Sequence, residues 1–119
     1  MNSQELATRF LNFASLIINL DDQLEKSFAG KHIYRQLMRS SSSCGANYEE
    51  TIAAESHADF SHKLQIVLKE IRESNYWLKL LQKSDLVNDD TVNPLIQESI
   101  ELINIVSKSV KTIKSKRNH

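Results

Sequence analysis

Gln36, Arg39, Ser40, Ser43, Asn47 and Glu50 stand at i, i+3, i+4, i+7, i+11 and i+14, so in a helix they form one stripe of polar side chains. Two amides, a guanidinium, two hydroxyls and a carboxylate in such a row make a solvated face or a network set against a second polar stripe. They do not make a catalytic set. The serines at 40–43 have neither a nucleophile elbow nor a Ser-x-x-Lys pattern around them. Cys44 falls on the opposite side of the same helix, with Ile33, Leu37, Met38, Tyr48 and Ile52, and reads as a small buried hydrophobe. No Glu is followed three residues later by His, the pairing that di-metal bundles use. His57 and His62 are five apart and so face different ways, while His32 and His119 are isolated. Gly30 and Gly45 are too far apart to build a phosphate-cradling loop. The expectation is a protein without metal, cofactor or catalytic residues.

A second set of chemistry-bearing residues lies at the other end of the chain. Lys108, Lys111, Lys114, Lys116 and Arg117 fall in a stretch without acids, whereas residues 85–101 carry Asp85, Asp89, Asp90, Glu98 and Glu101 without bases. Acids at the start and bases at the end of a helix complement its macrodipole. The same bases also suit contact with phosphate. No aromatic residue is interleaved among them, so the sequence does not point to base stacking. The 15 basic and 15 acidic residues cancel, where dedicated nucleic-acid modules are usually basic.

The elements that must position these groups are helices. With two glycines and one proline in 119 residues, the turn punctuation of an all-β chain is missing, and the expected fold is an all-α, antiparallel up-down-up-down four-helix bundle spanning residues 1–119 as one domain. No apolar run approaches the ~20 residues that cross a bilayer. With no basic-then-apolar leader and a single cysteine, a cytoplasmic protein is expected. Leu6, Phe10, Phe13, Ile17, Leu20 and Leu24 set a first helix over 3–26, capped by Asn2 or Ser3 and ended before Gly30. A second spans 31–55, the apolar period continuing on both sides of the serines, with small residues there letting a neighbour come close. Ser56-x-x-Asp59 opens a third over 58–84. A fourth covers 89–115, its cap either Asn88 or Asn93 ahead of Pro94, with frayed residues from Lys114 onward.

A short link between the second and third helices makes them antiparallel and brings position i near position 114 − i. That register predicts Glu50 beside Lys63, and Arg39 beside Glu70 or Glu73. If the site is buried, Arg39→Leu would cost several kcal/mol. Tyr76 and Trp77 point about 100° apart. Either both rings are buried, or an exposed Trp77 beside Leu81 offers a subunit contact.

The segment from Gly30 to Leu81 resembles the bacterial four-helix-bundle family named for proteins encoded in 23S rRNA intervening sequences. The residues that carry the likeness are Gln36, Leu37, Arg39, Ser40, Ser43, Ala46, Asn47 and Glu50. It continues through Ala54, Glu55, Ser56, Asp59, Phe60, Lys63, Leu64, Leu68, Lys69, Glu70 and Tyr76-Trp77-Leu78. Members often have isoleucine or valine where Cys44 and Tyr48 stand. The resemblance implies a ring-shaped homo-oligomer, typically a pentamer, and no catalytic residues. A similar bundle is the accessory protein of diversity-generating retroelements, a basic pentameric barrel that binds nucleic acid and a reverse transcriptase. Two functions are therefore expected as alternatives: association with RNA or DNA through basic surfaces, or a protein–protein scaffold.

Overall fold

The computed structural model describes residues 1–117; the side chain of Arg117 and residues 118–119, His119 among them, lie outside the described part. Among the described residues all regular structure is helical: α1 (Ser3–Ile18), a single 3-10 turn (Asp21–Gln23), α2 (Phe28–Ile52), α3 (His57–Lys83) and α4 (Asp89–Arg117). Together they form a four-helix bundle of 50 × 24 × 21 Å.

Each neighbouring pair runs antiparallel, as the registers show. Tyr34 meets Ile17 and Ile18 while Gly45 meets Phe10, so α1 and α2 are opposed. On α2 and α3, Ser40 bonds Ser74 and His32 packs edge-on to Trp77. On α3 and α4, Asn75 bonds Ser99 and Gln82 bonds Asn93. Arg9 on α1 bonds Glu98 on α4, closing the ring of helices. The core draws on all four helices: Phe10, Phe13, Ile17, Leu37, Leu64, Ile71, Leu78, Leu81 and Leu102 are almost wholly buried, while Ile103, next to Leu102, is only half-buried.

The first helix ends earlier than the leucine period suggests. It stops at Ile18, not at residue 26, because Asn19, Asp21 and Asp22 are poor helix formers and place negative charge at the wrong end of the dipole. Leu20 and Leu24 still reach the core, carried there by the 3-10 turn. The carbonyls left free at the end of α1 are accounted for: the Tyr34 hydroxyl donates to Ile18 O at 2.8 Å, and Asn19 Nδ2 donates to Ser15 O at 3.0 Å. Burial, then Asp21 and Asp22, push the Tyr34 pKa up, which keeps that hydroxyl a donor.

Gly30 does not precede the second helix but lies in its first turn. Ser27 caps it, accepting from Gly30 N at 3.0 Å, and a Cβ at Gly30 would stand 2.6 Å from the Glu25 carbonyl oxygen. The glycine is therefore required by a close backbone approach, not by chain reversal. At the start of α4, Asn88 is the cap, accepting from Asp90 N at 2.8 Å, and Pro94 sits inside the helix. The last turns are helical through Arg117 and not frayed from Lys114.

The end of α3 explains why no glycine marks it. Leu86 N donates to Leu81 O at 3.0 Å and Asp85 N to Gln82 O at 3.1 Å, the Schellman pattern, with Asp85 in the left-handed position at φ 56°. Aspartate tolerates this conformation at a cost that glycine does not bear. Asp85→Gly therefore raises stability by about 0.5–1 kcal/mol in urea unfolding; a loss of stability would contradict the assignment.

Candidate functional site: polar seam and basic helix end

The α2–α3 seam contains part of the expected polar network. Arg39 reaches two carboxylates of α3: Nη1 donates to Glu70 Oε2 at 3.2 Å, and Nη2 bonds Glu73. Trp77 Nε1 donates to the same Glu73 oxygen at 3.0 Å, a fourth side chain beside Arg39, Glu70 and Glu73. Burial pushes the Glu73 pKa up, but the bonds from Trp77 and Arg39, with the charges of Arg39 and Lys69, outweigh it and hold the carboxyl below its ordinary value. Next to Arg39 and Glu73 in the chain, the Ser40 and Ser74 hydroxyls pair at 2.8 Å in a fully buried position, and the one that accepts there donates to its own helix, Ser40 to Leu37 O or Ser74 to Glu70 O.

The other members of the stripe do not join it. Glu50 is exposed, and Lys63 pairs instead with Asp59 on its own helix at 3.2 Å. Asn47 donates to Ser43 O at 2.8 Å, a bond within α2, and Gln36 is half-buried with no side-chain hydrogen bond among the described residues. The small residues do serve packing: a Cβ on Gly45 would lie 3.4 Å from Phe10 Cβ, so α1 rests directly on α2 there.

Trp77 is half-buried, and Leu81 is fully buried, so they form no exposed patch. The ring left in solvent is Tyr76, edge-on to Trp77 at 5.1 Å. Cys44 is buried, its thiol donating to Ser40 O at 3.2 Å, and burial pushes its pKa up to about 12, which removes it as a thiolate nucleophile. Among the described residues no group of three or more His, Cys, Asp or Glu is placed to hold a metal, and no helix is long and apolar enough to cross a membrane.

The cationic end of α4 divides between faces. Lys108, Lys111, Lys114 and Lys116 are all exposed, and none enters an ion pair among the described residues. Lys108 and Lys116, two turns apart, share one face with Ser109, Thr112 and Ile113 and overlook a cavity of about 650 Å³ against the α2–α3 turn. Helical spacing puts Lys111 and Lys114 off that face. The Arg117 side chain, named with these lysines, is outside the described part.

Antiparallel helices around one apolar core, with a charged seam on one flank and a cationic end, define a small four-helix-bundle protein. The chain belongs to the family of 23S rRNA-intervening sequence proteins, whose model matches residues 3–108. The match ends at Lys108, so most of the cationic end lies beyond it. Among solved structures it is similar to a protein of unknown function from the S23 ribosomal protein family of Bacteroides thetaiotaomicron. The two share 32% identity and a TM-score of 0.84, over 93% of this chain and 99% of that one. No functionally curated protein matches.

Proposed function

We propose that the protein is a non-enzymatic, oligomeric helical bundle of the cytoplasm that associates with RNA or DNA through the end of α4. The observation that carries this reading is the set of four exposed lysines over the last turns of α4, none neutralised by an ion pair among the described residues. Unpaired cations attract phosphate and release its counterions. Repeating the set in a ring, the pentamer that the family likeness suggests, multiplies the local field without raising the net charge of zero.

A scaffold that binds protein is the second reading. It is favoured by one side of α1, where Leu11 and Ile18, two turns apart, are 70% and 55% exposed.

Fluorescence anisotropy with structured RNA and duplex DNA separates the two. With about four phosphate contacts per subunit, affinity falls on the order of 10²-fold between roughly 50 and 200 mM salt. Replacing Lys111, Lys114 and Lys116 with Gln abolishes that binding and flattens the slope. No binding at low salt excludes the nucleic-acid reading; solution mass measured alongside gives the ring size.

A further inference from the structure

The cavity between the α2–α3 turn and the end of α4 combines features that the sequence kept apart. Its lining brings Phe60 from α3 and Ile113 from α4 together with Lys108 and Lys116, and adds His57, Ser109 and Thr112. Phe60 is half-buried, packed on the core while still lining the cavity. The lysines are eight residues apart on one helix, hence about 12 Å. That span matches the phosphates on either side of one or two extended nucleotides. About 650 Å³ is room for a base and its sugar, and lies in the usual range for ligand clefts. Glu55 is the one acid on the lining, against Lys108, Lys116 and the imidazole of His57.

We infer that this cleft receives an unpaired nucleotide of a nucleic-acid strand, its base against Phe60 and Ile113 and its flanking phosphates on Lys108 and Lys116. The aromatic partner for base stacking, missing from the lysine stretch itself, is supplied across the bundle by α3. A base held in a stack is unavailable for pairing, so the cleft selects single strands, loops and bulges over continuous duplex. This inference rests on the nucleic-acid reading and narrows it to one class of target.

The test compares a single-stranded RNA oligonucleotide, a duplex of the same sequence, and a free nucleoside monophosphate, each titrated against the full chain. Two variants probe the cleft without changing charge. Phe60→Leu removes the ring and keeps apolar packing. Thr112→Leu, at an exposed position, fills the cavity from the other side. Melting curves check that both remain folded. The expected result is a single-strand preference that each variant reduces roughly tenfold, with duplex affinity unchanged. Loss of single-strand and duplex binding in equal measure, or no loss, overturns the cleft while leaving the phosphate-contact reading in place. Absence of binding to every nucleic acid overturns both. Tight binding of the free mononucleotide with no gain from a strand makes the cleft a nucleotide pocket and likewise overturns the strand assignment.

Discussion

Phe10→Ala lowers the free energy of unfolding by about 3–5 kcal/mol, measured by urea or guanidinium denaturation. Phe10 is completely buried, its ring 5.3 Å from that of Tyr48 and its Cβ against Gly45. α1 has only 16 residues, and Phe10 lies near its middle. Truncation removes the ring that packs on Tyr48 and leaves a void in the core, while Phe10 Cβ and the α1 backbone still rest on Gly45 and hold the helices too close together for the void to collapse. For a chain of this length, total stability is on the order of 6–18 kcal/mol, so the loss is a large fraction. Gly45→Leu injures the same contact from the other side by forcing α1 outward, and the two effects do not add, because the residues touch. Gly45→Ala is the control. Its Cβ would meet Phe10 at 3.4 Å, which a slight adjustment relieves, while helix propensity improves by up to about 1 kcal/mol, leaving stability equal or higher. A Phe10→Ala variant within 1 kcal/mol of wild type would mean that α1 contributes little to the core.

A close helix approach at Gly45 was legible because small residues at helical spacing have few other purposes in a water-surrounded bundle, but that the neighbour is α1 is a product of the fold. Four helices and their core were legible for a related reason: the apolar period persists through the serines, and packing outweighs their weak propensity. The end of α1 was not, since Leu20 and Leu24 continue the period after the backbone has left the helix. The end of α3 was hidden by an aspartate in a place where glycine is usual. Of the two cross-helix charge contacts expected, Arg39 with Glu70 and Glu73 follows from the register that a short link enforces. Glu50 with Lys63 fails although the register permits it, because Asp59 offers Lys63 a partner one turn away. The lysines of α4 could be seen in the sequence, but their division between faces and the presence of Phe60 beside two of them are products of the fold.

Arg39→Leu destabilises the protein by about 1–2 kcal/mol, a drop in Tm of roughly 4–8 °C for a domain of this size. Full burial of the pair would have made the cost several kcal/mol. The Arg39 side chain is 49% exposed, so water screens its charge, whereas the Glu70 side chain is only 11% exposed and is left without its cation when Arg39 is removed. That remaining carboxylate, more than the lost attraction, sets the cost. Acidification supplies the sign of the effect. Glu73 has a folded pKa below its ordinary value, so its contribution is fully present above that ordinary value and is lost as pH falls through the lowered one. The wild-type chain therefore loses stability on the acid side more steeply than Arg39→Leu, and the two melting temperatures converge as Glu73 protonates. Trp77, the only tryptophan and itself bonded to Glu73, reports the seam directly through its fluorescence. Glu50→Gln, outside the seam, leaves both the melting temperature and its pH profile unchanged, and a gap between wild type and Arg39→Leu that stayed constant from neutral to acid pH would show that the seam is held by something other than these charges.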